Sequence, residues 1–366
     1  MSKARQLAQK PSQPTGRKNL LINGAFQVHE RTDSNVTGAT TSGYKYHDRW
    51  RVFINTAGTW EIGDEANETT PSLPDGFSNA ARIECTTANA SLAAGANIHF
   101  HQIIEGQNCQ SLQKGTSTAL PITVSFWVRS NKTGKFVLEA YQPDNTARHI
   151  VSNYTINTAD TWEYKKITFA GDTDTDGKID NDNGAGLGLY WWLGGGSDYS
   201  SGTQATSWTD YNVNDILPSD HVNLADTVNN NWSITGVQVE IGSVATAFDY
   251  ESIQETLEMC QRYYQRITAD GDTSQDLVLG QYSTDQAYAS YPLLKKMRAA
   301  PSTRTIDITN AFNSNRNIFS SGNTTISAIS STQSTLRLNA STFTNAVAGD
   351  PCLAYVDNIT ADAELT

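Results

Sequence analysis

Between Asn19 and about Tyr250 the chain is a succession of about ten short segments in which apolar and polar residues alternate, separated by Gly, Asn, Asp, Ser and Thr. They include DRWRVFIN, NAARIEC, ANIHFHQIIEG, ALPITVSFWVRSN, GKFVLEAYQ, TWEYKKITFAG, GLGLYWWLGGG and NNWSITGVQVEIG. Alternation with a period of two sends successive side chains to opposite faces of a strand. In GKFVLEAYQ it sets Phe136, Leu138 and Ala140 on one face and Val137, Glu139 and Tyr141 on the other. Many short strands joined by turn-forming residues predict a mainly β chain, built on a β-sandwich of jelly-roll type.

The flanks read differently. Residues 1–18 hold Lys3, Arg5, Lys10, Arg17 and Lys18, no acid, and two prolines, Pro11 and Pro14. That composition resists independent folding and predicts a basic anchoring arm. After the sandwich, SIQETLEMCQRYYQRI begins with Ser252 and places Glu255 three residues on, the signature of a capping box. Ile253, Leu257, Cys260, Tyr264 and Ile267 then fall on one helical stripe. The same spacing suits a packed helix or a short three-chain seam. Residues 268–366 are dominated by Ser, Thr, Asn and Ala, with Ile326, Ala328, Leu336 and Leu338 alternating with polar positions. So few apolar residues are a weak basis for a core in one copy. The predicted organisation is an arm over 1–18, the sandwich over 19–250, a helix over 251–267 and a C-terminal β-rich oligomerisation domain over 268–366.

Charge and composition narrow the partners. Lys and Arg number 26 against 38 Asp and Glu, a net charge of −12. Phosphate contacts need clustered Lys and Arg, so nucleic acid is not an expected partner. No run approaches the roughly 20 apolar residues of a membrane span, and membrane insertion is not expected. No apolar stretch of about 7–15 residues follows the basic start, as a secretory signal requires. The 8 Trp, 15 Tyr and 11 Phe are too many for a disordered chain. Cys85, Cys109, Cys260 and Cys352 lack metal-ligand spacing and are read as free, buried thiols.

No zincin, P-loop, dinucleotide-binding or nucleophile-elbow motif is present, so no catalytic residue is expected. His99 and His101 would share one strand face, and no third metal ligand can be named beside them. The sharpest local signal is GDTDTDGKIDNDNG at 171–184. Asp172, Asp174 and Asp176 alternate and Gly177 follows, as in the first half of a calcium loop, with Asp180 a fourth acid. Asn183 stands where such a loop would end in Glu. A solvated acidic turn and a Ca²⁺ site on Asp172, Asp174, Asp176 and Asp180 both fit. Trp191 and Trp192 are adjacent and should face opposite sides, one of them in the core. Tyr199, Trp208 and Tyr211 follow in a polar Gly/Ser loop. Exposed aromatic faces beside Asp and Asn suit sugar rings, which makes these three the candidate carbohydrate-binding residues; the plainer alternative is that they close the end of the sandwich. A strand of eight residues spans about 27 Å, which would set the acidic loop and Tyr199 at opposite ends.

Several strings taken together resemble a known family. They are KNLLINGAFQV, YHDRWR at 46–51, HQIIEG at 101–106, SFWVRSNKTGKF at 125–136, DNDNGAGLGLYWWL at 180–193, VQVEIGSVATAFDYESIQETLEMCQRYYQR at 237–266, KKMRAAPS at 295–302 and ADAEL at 361–365. They are similar to tail-fibre and related appendage proteins of bacteriophages, particularly of marine hosts, whose central region resembles the jelly roll of carbohydrate-binding modules. NLLINGAFQV, DRWR and CQRYY are the most specific elements. The resemblance implies a non-enzymatic virion component, commonly a homotrimer, made in the host cytoplasm. It would dock on other tail or capsid proteins through residues 1–18 and face host-surface glycan. A polysaccharide-depolymerising tailspike and a purely structural adaptor, knob or capsid decoration are the alternatives.

Overall fold

The computed structural model describes residues 17–65, 72–268, 275–281, 286–313, 318–319, 325–341 and 351–365. Most of the predicted anchoring arm, residues 1–16, thus lies outside the described residues. The chain divides into two compact units. One contains Met1–Gln27 and Ser34–Glu251, the other Val28–Asp33 and Ser252–Thr366.

The first unit is the predicted sandwich. One sheet takes β1 (Val36–Ala39), β3 (Thr59–Asp64), β4 (Ala81–Thr87), β12 (Asn231–Ile241), β6 (Ile122–Ser130) and β9 (Glu163–Phe169), in that order. The other takes β11 (Thr209–Asp210), β8 (Arg148–Ile156), β7 (Gly134–Gln142), β10 (Ala185–Gly195), β5 (Asn97–Glu105) and β2 (Arg51–Asn55). Neighbours pair antiparallel throughout. The alternation read from sequence sorts their side chains. Val124, Phe126 and Val128 on β6, Ile83 and Cys85 on β4, and Trp232 and Ile234 on β12 join one buried core with Phe136 and Leu138 on β7 and Leu189, Trp191 and Leu193 on β10. On β12 the alternation slips, since Val237 and Val239 also enter the core. Register shifts between Thr235 and Gln238, where Gly236 has φ +60°. A Cβ there would meet the Phe77 ring at 2.5 Å, so this bulge needs glycine.

Two of the strings singled out in the sequence, NLLINGAFQV and DRWR, turn out to interlock. The Asn23 side-chain amide donates to the Asp48 carbonyl (3.1 Å), and the Trp50 indole donates to the Asn23 carbonyl (3.0 Å). The Phe26 ring lies 4.9 Å from Trp50 and 5.0 Å from His47. Asn23, Phe26 and Arg49 all adopt left-handed backbone, with φ of 58°, 57° and 73°. Each such residue costs roughly 1–2 kcal/mol, which the burial of Phe26 and Trp50 offsets. NGAF and HDRW are therefore a structural clasp.

The second unit begins with α1 (Ile253–Gln261), capped as predicted by the reciprocal Ser252–Glu255 box. The helix ends earlier than expected. Tyr264 and Ile267 belong to β13 (Tyr264–Thr268), which pairs with β20 (Pro351–Asp362). Aromatic and β-branched residues favour a strand, and β20 supplies the backbone partners. The predicted stripe divides accordingly: Cys260 is buried and Ile253 is 59% exposed. The remaining strands are β14 (Gln275–Gln281), β15 (Gln286–Pro292), β16 (Thr303–Asn313), β17 (Ile318–Phe319), β18 (Thr325–Ser331) and β19 (Thr335–Ser341). They form a sheet in the order β17-β16-β20-β14-β15-β19-β18, with β13 also on β20. The C-terminal region is thus β-rich, and Leu336 and Leu338 are buried on either side of exposed Arg337. The side chains of Ile326 and Ala328 lie outside the described residues.

Residues 28–33 cross over to this unit. Arg31 pairs with Asp362 (2.8 Å) and Glu364 (3.0 Å), and its guanidinium lies 4.0 Å over the Tyr264 ring. Arg266 reaches back to Asp33 (3.3 Å). The unit boundary therefore falls at Glu251–Ser252, with six N-terminal residues on its far side. Among the described residues no helix is long and apolar enough to cross a membrane. Cys85, Cys109 and Cys260 are buried, as expected, and Cys85 and Cys109 are free thiols; the side chain of Cys352 lies outside the described residues.

Candidate functional site

The alternation that fills the core also decides what the sheet β11-β8-β7-β10-β5-β2 presents on its outer face. With Phe136, Leu138 and Ala140 turned inward, β7 offers Val137, Glu139 and Tyr141 outward. In the same way β10 offers Tyr190 and Trp192, β5 offers Asn97, His99 and His101, and β2 offers Phe53. The loop after β10 then folds over part of this face. Its Ile216 and Leu217 pack on Val137, Val151 and Trp192 in a small cluster of their own. Beside that cover lies a pocket of about 230 Å³. Phe53, His99, Tyr190, Trp192, Glu139 and Tyr141 line it from the strands, with Asn97 at one end; Tyr199, Tyr211 and Val213 line it from the loop.

Glu139 is the one acid among the pocket's lining residues, and it is 2% exposed. Its Oε1 lies 2.9 Å from His149 Nδ1, and its Oε2 accepts from the Trp192 indole at 2.8 Å. A carboxylate oxygen has two lone pairs, so each still has one acceptor position. His99 and His101 do share a face, with their Nδ1 atoms 3.1 Å apart. Burial, aided by the Arg51 guanidinium, pushes His99 down to about 3. Burial, then His99 and Arg51, holds His101 well below the usual imidazole range. Both rings are therefore neutral at physiological pH, one nitrogen of the close pair donating and the other accepting. His99 stacks on Phe53 at 4.8 Å and His101 on Tyr190 at 4.5 Å. Burial above all raises the phenols of Tyr141, Tyr190, Tyr199 and Tyr211, which keep their hydrogens. The Tyr199 hydroxyl accepts from the Asn97 amide and donates to the Gly95 carbonyl at 3.2 Å. Tyr211, 38% exposed, lies 4.8 Å from the Tyr141 ring and 5.0 Å from His149.

Of the three predicted carbohydrate-binding residues, Tyr199 and Tyr211 meet in this pocket and Trp208 does not. β11 pairs Thr209 with His149 and Asp210 with Arg148, which carries Trp208 toward the acidic turn. Its indole donates to the Ala170 carbonyl (2.7 Å), and the Lys114 ammonium sits 3.1 Å from its ring centre. Trp208 thus covers a cation at a corner of the core. The adjacent pair divides as expected, with Trp191 in the core and Trp192 in the pocket.

The acidic turn is drawn inward at one residue. Asp172, 2% exposed, takes both Nε (2.9 Å) and Nη2 (3.2 Å) of Arg148 and lies 3.6 Å from Lys114. Gly177 sits against it: a Cβ there would meet the Asp172 carboxylate at 2.3 Å. Asp174 caps a short turn by accepting from the Asp176 amide (3.1 Å), and the Asp180 amide donates to Asp144 (2.6 Å). The turn glycine and side-chain caps thus serve a turn whose buried charge is paired with the Arg148 guanidinium. Among the described residues no three His, Cys, Asp or Glu side chains form a group able to hold a metal ion. Burial lowers Lys114 to about 7, against the pull of Asp172. A second cavity, about 340 Å³, opens beside Lys114, Lys178 and Cys109, whose thiol burial pushes up to about 12.

Sequence reasoning missed most of the pocket: Phe53, Asn97, Glu139, Tyr141, Tyr190 and Trp192. A signal was present. On β7 and β10 the face opposite the core carries aromatic and acid residues where a solvated strand would carry small polar ones.

No protein-family model matches the chain, and no curated protein does. Solved structures do align with it. A putative sugar binding protein from Bacteroides thetaiotaomicron is 12% identical, covering 61% of this chain and 100% of that one, with a TM-score of 0.32. TmCBM61 in complex with β-1,4-galactotriose is 11% identical over 62% and 99% of the chains, at 0.30. The family 11 carbohydrate-binding module from Clostridium thermocellum is 10% identical over 58% and 98%, at 0.29. At such scores the likeness adds nothing to what the two sheets establish.

Proposed function

We propose that the outer-face pocket binds carbohydrate, and that the chain is a non-enzymatic virion appendage that uses it on the host surface. One observation carries the binding reading: aromatic rings and a buried carboxylate, fixed by Trp192 and His149, converge on one small cavity. Sugar rings present CH faces that stack on aromatics and hydroxyls that need fixed acceptors and donors. Glu139 supplies acceptor positions and the neutral phenols supply donors. Paired carboxylates, which glycoside hydrolysis uses, do not line this cavity among the described residues. The family strings and the aromatic, charge-poor composition support the appendage reading, with residues 1–18 attaching to tail or capsid proteins and three copies assembling.

The binding test is glycan-array and host-cell adsorption of wild type, Tyr199→Ala and Tyr211→Ala, with melting curves as a folding control. Loss of one aromatic anchor should weaken binding by about tenfold, placing it among the minority of interface residues that cost more than about 1 kcal/mol on truncation. Unchanged binding by both variants would remove the pocket as the site. For the appendage reading, antibody to this chain should label particles in micrographs. A sedimentation mass near the 39.9 kDa of one chain at micromolar concentration would exclude the trimer.

A further inference from the structure

We infer that the pocket takes a single sugar residue at the end of a glycan chain, and not a stretch from the chain's interior. This rests on the carbohydrate reading above and sharpens it. Volume is the first argument. About 230 Å³ falls below the roughly 300–1,000 Å³ of pockets that enclose drug-sized ligands. It suits one pyranose ring with its hydroxyls.

The walls are the second argument. A glycan threading through needs a groove with two exits. Here the loop after β10 stands across the face. Tyr211 and Val213 bound the pocket on the β8 side, and His149 and Val151 are buried there. Tyr199, tied through its hydroxyl to Asn97 and Gly95, bounds it at the end of β10. This wall is anchored. Val151 N donates to the Ala205 carbonyl (2.8 Å), Ala205 N donates to the Asp215 carbonyl (2.9 Å), and the Gln204 and Asn153 amides bond reciprocally at 2.8 and 3.0 Å. Opposite the wall the lining is Phe53 of β2, the last strand of the sheet, and there the rest of the glycan leaves.

The third argument is chemical. The free positions on Glu139 are acceptors, so they call for hydroxyl hydrogens. A terminal residue keeps the hydroxyl that an interior residue spends on its next linkage, and a glycosidic oxygen has no hydrogen to give.

The test is an array of neutral hexose and N-acetylhexosamine oligosaccharides of one to six units, followed by calorimetric titration of those that bind. Affinity should reach its final value at one or two units and change less than threefold beyond. O-methylation of the terminal residue should abolish binding. An affinity that climbs tenfold or more from two to five units, indifferent to end-blocking, would overturn the inference while leaving the carbohydrate reading in place. Silence from every member would overturn both. A wall variant, Tyr211→Ala with Val213→Gly, should convert the flat length profile into a rising one. If its profile stays flat while it still binds, the wall is not what limits the site, and the inference fails.

Discussion

The inner and outer faces of the sheet β11-β8-β7-β10-β5-β2 are made by the same strands, one residue out of step. Trp191 and Trp192 show the contrast. Both are nearly fully buried. Trp191 packs among other apolar side chains of the core. Trp192 is covered by a loop, and its indole donates to Glu139. The inner face needs only apolar volume, which many residues can supply. The outer face needs particular polar atoms at particular distances, and each lost atom leaves a partner stranded.

That contrast can be broken experimentally, starting where the effect should be largest. Trp191→Ala should cost about 3–5 kcal/mol in denaturant unfolding, as for other large-to-small core changes. A loss under about 1 kcal/mol would mean that the inner face is not the main core. Glu139→Leu should abolish glycan binding and destabilise to a comparable extent, since it strands two donors, Trp192 and His149, at roughly 1–3 kcal/mol per unsatisfied group. If it bound normally, the carboxylate would have no role in the pocket. Trp208→Ala belongs to neither face. It should cost about 1–2 kcal/mol, from one hydrogen bond and one cation–π contact, while glycan affinity stays within threefold. A tenfold loss would return Trp208 to the site.

Acid should act through the outer face. His99 falls to about 3 in the folded state, from 6.5 when exposed. Between those values the unfolded chain binds the extra proton, so stability is full above pH 6.5 and declines as the pH drops toward 3. His99→Gln should flatten that part of the stability profile relative to wild type; an unaltered profile would count against the buried neutral imidazole. The smallest expected effect is none: chelator should leave the melting curve unchanged, because Arg148 already pairs with Asp172 through two nitrogens. A fall of several degrees on chelation would instead support the calcium reading of the acidic turn.

The sheets were readable in advance because alternation is local, and each strand declares its two faces within a few residues. The capping box of α1 was readable for the same reason. The end of α1 was not, since Tyr264 and Ile267 continue the helical spacing and become strand only when β20 is there to pair with them. The pocket was half visible. Tyr199 and Tyr211 stood out because aromatics in a polar loop are unusual. Phe53, His99, Glu139 and Tyr190 come from four separate strands, and only sheet order brings them together. Trp208 misled because neighbours in a loop were taken as neighbours in space. The bond between Thr209–Asp210 and β8 turns the chain so that Trp208 meets Lys114.

The crossing of Val28–Asp33 to the second unit has a consequence for the order in which the protein can be built. Arg31 leaves the ribosome early, while Asp362 and Glu364, which hold it, do not yet exist. At roughly 5–20 residues per second the wait is some tens of seconds. During it the sandwich can close its own clasp, since Asn23, His47 and Trp50 are all made within the first fifty or so residues. In the meantime Val28–Asp33 is a bight without the two carboxylates that pair with Arg31. Only a ribosome that has read through residue 364 releases a chain able to draw that bight in. A polypeptide ended before residue 362 lacks both carboxylates that hold Arg31, and limited proteolysis should cut it at Val28–Asp33 sooner than the full chain.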